Sequence, residues 1–217
     1  MSTFVLIHGG GGSGWDWHLV AADLRARGYD VVAPDLPSED DSAGLEEYAD
    51  LVVEEIGDRR GLVVVGHSFG GFTVPLIADR LPVDALVFVA GMIPRPGETP
   101  ADWWANTGYV SGPGDDVFYH DVPAELAAEA RRRERGQSET STNRPWPLDA
   151  WPDVPTEVVI CTEDRLFRPE FLRRVAAERL RVTPDEIAAG HYVTLSRPTE
   201  LADLLETYAV RHSGGAS

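Results

Sequence analysis

The stretch Gly66-His67-Ser68-Phe69-Gly70-Gly71 constrains this chain more than any other. It follows the apolar run Leu62-Val63-Val64-Val65 and precedes Phe72 to Leu81, which reads as a helix. A G-x-S-x-G pattern between a strand and a helix describes a turn too tight for side chains at its flanks, so Gly66 and Gly70 stand there. The turn holds Ser68 with its hydroxyl clear of the backbone at the start of the following helix. That is the setting in which a weak nucleophile can be activated.

The same rhythm of short apolar runs and longer amphipathic stretches recurs along the chain, the sign of a parallel sheet wrapped by helices. Phe4 to Ile7 reads as a strand covered on both faces. A helix follows from about Trp15 to Arg27, with Gly28 as its C-cap. Val31 to Ala33 is the second strand, closed by Pro34, and Leu45 to Ile56 has a helical period. The remaining strands are Leu62–Val65, Asp84–Ala90, Thr156–Cys161 and a weak sixth near Glu186-Ile187-Ala188. Further helices fall at Pro169–Leu180 and Thr199–Tyr208. The expected fold is therefore α/β, a mostly parallel six-stranded sheet with helices on both faces. The interval 94–155 breaks the rhythm with Pro, Gly and many aromatics, and holds one convincing helix, Ala124 to Arg133. It is expected to be a compact cap inserted in a single domain over residues 1–217. Its place roofs the crevice at the carboxyl ends of the strands, where open α/β sheets bind ligands.

A net charge of -17 disfavours nucleic acid and anionic membranes as partners; the expected partner is a small-molecule substrate. There is no lysine, which removes Schiff-base chemistry and any lysine acid. Cys161 is the single cysteine, so an intrachain disulfide is excluded and a reducing cytoplasm is the expected compartment. Met1-Ser2-Thr3 leads straight into a strand, with no signal-peptide pattern and no apolar run of membrane-spanning length. The tail from His212 to Ser217 is expected to fray. No oligomeric state is legible in the sequence.

A nucleophilic serine needs a base and an acid to orient that base. The base candidate is His191 in Gly190-His191-Tyr192, between the weak sixth strand and the last helix. Glu163 and Asp164 close the fifth strand. Asp164 is preferred because it takes the place of the acid in a G-x-x-D strand end, with Cys161 standing where Gly is common. No acid follows the fourth strand at Gly91-Met92-Ile93. An oxyanion hole is also needed. The run His8-Gly9-Gly10-Gly11-Gly12 lets backbone N–H groups approach a developing negative charge, and the donors are assigned to Gly10 and to Phe69, the residue after the nucleophile. The same run lacks the Lys-Ser/Thr and the glycine spacing of phosphate-binding loops.

With these residues in place, the chain resembles the α/β-hydrolase superfamily, whose order Ser…acid…His it follows. More narrowly it resembles the methylesterase and hydroxynitrile lyase family. The likeness is carried by Phe4-Val5-Leu6-Ile7-His8-Gly9, Gly14-Trp15-Asp16-Trp17, Gly66-His67-Ser68, Cys161-Thr162-Glu163-Asp164, Pro169-Glu170-Phe171, His191 and Leu195-Ser196-Arg197-Pro198. The resemblance implies a sheet without the first antiparallel hairpin, and no cofactor or metal. Lyases of that family carry a lysine after the histidine and a threonine after the first-strand histidine; this chain has Tyr192 and Gly9, which favours ester hydrolysis. A non-hydrolytic lyase or cyclase on the same residues, and a non-catalytic ligand receptor, are the alternatives.

Other residues have quieter readings. His8 and His67 are expected to pack and fix loops, His18 and His212 to be solvated, and Asp35 to hold its loop. His120-Asp121 reads as a structural anchor, and Arg131-Arg132-Arg133 with Arg135 as a solvated helix face. Among the aromatics of the 94–155 segment, Trp103, Trp104 and Phe118, together with Tyr192, are the candidates for lining a pocket for an apolar or aromatic ester.

Overall fold

The computed structural model describes residues 2–111 and 116–213. Six strands form one sheet: β1 (Thr3–Ile7), β2 (Asp30–Val32), β3 (Leu62–His67), β4 (Ala85–Val89), β5 (Thr156–Cys161) and β6 (Asp185–Ile187). The order is β2-β1-β3-β4-β5-β6, and every pairing is parallel. Strands β1, β3 and β4 are buried at every residue, because helices cover both faces and no position can face water.

Nine α-helices surround it: α1 (His18–Ala26), α2 (Leu45–Ile56), α3 (Val74–Ala78), α4 (Pro100–Asn106), α5 (Ala124–Arg132), α6 (Glu139–Asn143), α7 (Pro169–Arg179), α8 (Val193–Ser196) and α9 (Pro198–His212), among the described residues. Helix α2 begins where the Glu47 carboxylate accepts the Gly44 N–H, at 2.7 Å, and buries Leu45, Tyr48, Ala49, Val52 and Ile56 on one face. Helix α1 stops at Gly28, whose φ of 94° lets Tyr29 N–H reach Leu24 O and Gly28 N–H reach Arg25 O.

Among the described residues, the segment between β4 and β5 has three helices, α4, α5 and α6, where the sequence predicts one. The start of α4 is set by Thr99, whose hydroxyl accepts the Asp102 N–H ahead of Pro100, and α6 is started by Ser138, which does the same for Thr140. Both helices are short, so their apolar period is too brief to read. The segment is tied down by a buried bidentate pair: Arg179 of α7 donates to both oxygens of Glu98 and to Ile93 O. His212, expected to fray, is the last residue of α9 and bonds Glu157 at 2.8 Å; residues 214–217 lie outside the described residues.

Register places the functional loops. Ile7 pairs with Gly66, His67 with Val89, and Cys161 with Ile187. The loops after β1, β3, β5 and β6 therefore leave the sheet at the same edge, the carboxyl end.

Candidate active site

The turn after β3 is built as the glycine spacing requires. Ser68 has φ 50°, a left-handed conformation that a serine takes only where its surroundings enforce it. A Cβ on Gly66 would overlap Val74 Cγ2 and lie 2.9 Å from the Gly70 backbone, and one on Gly70 would lie 2.7 Å from His8 O. The loops after β1 and β3 are in contact, since a Cβ on Gly9 would lie 3.1 Å from Ser68 Cβ and one on Gly10 would lie 3.5 Å from Phe69 Cβ. The Gly10 amide has no hydrogen-bond partner among the described residues, and Phe69 sits in the first turn of the 3₁₀ segment Ser68–Phe72, where N–H groups lack partners from their own helix.

His191 and Asp164 meet. His191 Nδ1–H donates to Asp164 Oδ2 at 2.8 Å, and both side chains are buried. The other oxygen of Asp164 accepts the N–H groups of Leu166 (2.8 Å) and Phe167 (2.9 Å), which fixes the carboxylate as an acceptor. That bond places the Nδ1 proton toward Asp164 and leaves Nε2 as the ring nitrogen that can accept one. Phe118 and Phe167 meet the His191 ring edge-on at 5.7 and 5.4 Å. Ser68 Oγ makes no hydrogen bond among the described residues, so the serine–histidine link is not closed; such contacts commonly tighten only around substrate. Glu163, the alternative acid, bonds His120 through its backbone carbonyl rather than meeting His191.

Two more histidines hold these loops. His8 Nδ1–H donates to Gly9 O and its Nε2 accepts the Leu36 N–H, so the ring is a neutral bridge, and burial lowers its pKa to about 4. His67 Nε2–H donates to His191 O at 2.9 Å; burial, then electrostatic interaction with the neighbouring imidazole of His191, lowers its pKa to about 3. Asp35 holds the loop before the first 3₁₀ turn by accepting the Gly14 N–H. His18 is half-buried and stacked on Trp15, where a solvated residue was expected.

Beside the glycine loop lies a cavity of about 220 Å³, lined by Gly10, Gly11, Phe118, Tyr119, Glu134 and Tyr192 among others. A larger one, about 390 Å³, lies at Tyr109, Leu166 and Phe171, and neither cavity is lined by Ser68 or His191. The smaller borders the candidate oxyanion donor and is the better placed for chemistry. Of the four pocket candidates, Phe118 (41% exposed) and Tyr192 line it, and Trp104 is 36% exposed against Tyr109 and Phe167. Trp103 corrects the expectation: it is fully buried, with its indole N–H on Ile93 O, and presents no surface to a ligand. Its neighbour faces out because adjacent helical positions point 100° apart.

Two residues pin the glycine loop. Gln137, which no sequence pattern singles out, accepts the Gly11 N–H on Oε1 at 3.4 Å while its amide donates to Tyr48 and Ser141. Arg135 is no part of a solvated helix face: it lies beyond the end of α5, is half-buried, and its N–H donates to Gly11 O. They lie some 125 positions from their targets, beyond any local pattern. No sequence pattern singles out Tyr119 either; it stacks on Tyr192 at 4.7 Å.

A family model described as the alpha/beta hydrolase family matches residues 4–204. The chain belongs to that family. Among curated relatives, a probable esterase of rice (Oryza sativa subsp. indica) is 38% identical over 44% of this chain and 41% of its own length, so the match spans about two fifths of that relative. Salicylic acid-binding protein 2 of Nicotiana tabacum is 27% identical over 94% of this chain and 95% of its own. Among solved structures, a pyrethroid hydrolase from Sphingobium faniae superimposes with a TM-score of 0.79 at 22% identity, covering 96% of this chain and 97% of that one; at that identity the likeness concerns the fold. Among the described residues, no helix is long and apolar enough to cross a membrane.

Proposed function

We propose that this family member is a serine esterase that cleaves small carboxylic esters with an apolar or aromatic part through an acyl-enzyme. The observation that carries the reading is the buried 2.8 Å bond from His191 to Asp164 at the sheet edge where Ser68 occupies a strained turn. His191, oriented by Asp164, takes the Ser68 proton as Ser68 attacks the ester carbonyl. The N–H groups of Gly10 and Phe69 receive the oxyanion. His191 then protonates the departing alcohol and activates the water that releases the acid. In this reading residues 94–155 cap the site, and Phe118, Tyr192 and Trp104 contact the substrate. The names of the rice and tobacco relatives, an esterase and a salicylic acid-binding protein, agree with a small aromatic ester or acid as ligand.

The test is S68A assayed on p-nitrophenyl esters beside a fluorophosphonate probe. The parent is expected to hydrolyse the ester and take the label on Ser68; S68A is expected to lose the label and on the order of 10⁶ in kcat. Undiminished hydrolysis by S68A would overturn the scheme. Turnover without incorporation of labelled solvent oxygen would replace hydrolysis with a lyase or cyclase reaction, and an unlabelled, inactive parent would leave a ligand receptor.

A further inference from the structure

His120 and Asp121 lie just ahead of α5, and their side chains reach two separate loops. His120 Nε2–H donates to Glu163 O at 3.1 Å, and Asp121 Oδ2 accepts the Gly190 N–H at 2.6 Å. Glu163 is the residue before Asp164, and Gly190 the residue before His191. One dipeptide thus grips each loop at the position next to a member of the proposed proton relay. The two loops are also joined directly, by Glu163 N–H to Ala189 O at 3.0 Å, so the contacts close into a ring.

The seat is close-fitting. A Cβ on Gly190 would overlap Asp121 Oδ1 and lie 2.7 Å from His120 Nε2, which explains a glycine at a position with no need of a left-handed φ. Asp121 Oδ1 is buried with no hydrogen-bond partner among the described residues. A carboxylate oxygen buried without a partner is costly to keep and calls for an explanation beyond packing. Phe118, two residues before the pair, meets the His191 ring edge-on.

We propose that His120 and Asp121 are positioning residues that hold the backbones on either side of the His191–Asp164 bond, coupling the seat of the 94–155 segment to the geometry of the relay. The inference rests on the esterase reading for the role of His191 and Asp164. Asp121 acts through Gly190 on the direction in which His191 projects, and His120 acts through Glu163 on Asp164. A misplacement of about 1 Å at the reacting groups can lower a rate on the order of 10²-fold. The loss is expected on kcat more than on KM, because the backbones the pair grips lead directly to the reacting groups His191 and Asp164.

The experiment compares D121A with D121N and H120A with H120Q, reading kcat, KM, thermal melting and the downfield proton resonance of the His191–Asp164 bond. D121A and H120A are expected to lower kcat about tenfold to a hundredfold, with KM changed less than about threefold, and to shift or broaden the resonance. D121N keeps an oxygen for the Gly190 N–H and H120Q an amide for Glu163 O, so each should recover most of the loss. Unchanged kcat and resonance in both alanine variants overturns the proposal, as do conservative variants as impaired as the alanine ones. If D121A does not fold, the D121N comparison with the parent and the His120 pair carry the same decision. A parent inactive on every ester, but with a resonance that D121A or H120A abolishes, would sink the esterase reading and leave the positioning role in place.

Discussion

His67, the residue before the candidate nucleophile, donates its Nε2–H to the backbone carbonyl of His191, the candidate base, at 2.9 Å. The two rings lie 4.8 Å apart, and His67 Nδ1 is buried with no partner among the described residues. A histidine in the elbow therefore carries no proton traffic of its own; it ties the elbow to the loop of the base. H67A strands a buried carbonyl and opens a void. It is expected to lower stability by about 1–3 kcal/mol in chemical denaturation and to lower kcat more than it raises KM.

Acid should destabilise the protein below pH 6.5 through two buried histidines. His8 and His67 have folded pKa values of about 4 and about 3 against 6.5 unfolded, so between those limits the unfolded chain binds more protons. Their stabilisation is complete above pH 6.5. It is lost as pH falls toward 4 and 3, by on the order of 1.4 kcal/mol per pH unit for each group. Asp16 opposes them. Burial raises its pKa from 3.8 to about 6, so its contribution is present below pH 3.8 and lost as pH rises through 6. Two groups outweigh one, and the melting temperature is expected to fall from pH 6.5 to 4.5.

D16N isolates the opposing part of that balance. The amide oxygen can still accept the Ser13 N–H that Asp16 Oδ2 accepts at 3.3 Å, and no buried charge remains. The variant should melt above the parent at pH 7, with the gap closing toward pH 4. A gap that does not depend on pH would refute the assignment.

The buried pair Arg179–Glu98 should be worth far more to break than to replace. Both side chains are under 5% exposed, and Asn106 adds a bond to the same carboxylate. E98A leaves the guanidinium buried and unpaired and is expected to cost about 3–5 kcal/mol in urea unfolding; E98L/R179M should recover a large part of it.

Neighbouring aromatics should separate stability from selectivity. W103A empties a fully buried site and is expected to cost about 3–5 kcal/mol. F118A removes a ring that is 41% exposed at the cavity, and should leave the melting temperature within a few degrees while changing the KM ranking across an ester panel graded by aromaticity.

Most of the sheet could be read along the chain. Thr156–Cys161 and Leu45–Ile56 have the bounds the sequence predicts, because the buried run Val158–Cys161 marks a covered strand and a surface helix must show its period. The β3 strand runs on to His67, past the apolar run, because a strand feeding a tight turn needs no apolar side chain at its last residues. The pattern predicts a helix over Phe72 to Leu81, whereas α3 covers only Val74–Ala78: Phe72 belongs to the 3₁₀ turn that Ser68 and the glycines form first. Helices α4 and α6 were not read at all; their starts depend on single capping hydroxyls rather than on a period.

Local chemistry by itself determined the alternating architecture, the glycine-flanked serine, and the choice of Asp164 and His191 as partners, since each is written in a few adjacent residues or in chain order. Only the tertiary structure decided which of Trp103 and Trp104 faces outward, that Gln137 and Arg135 pin the glycine loop, and that His120 and Asp121 reach the residues preceding both partners. Those contacts join positions tens to more than a hundred residues apart. They exist because the parallel register brings four strand ends to one edge, and side-chain spacing along a chain carries no record of what lies across that edge.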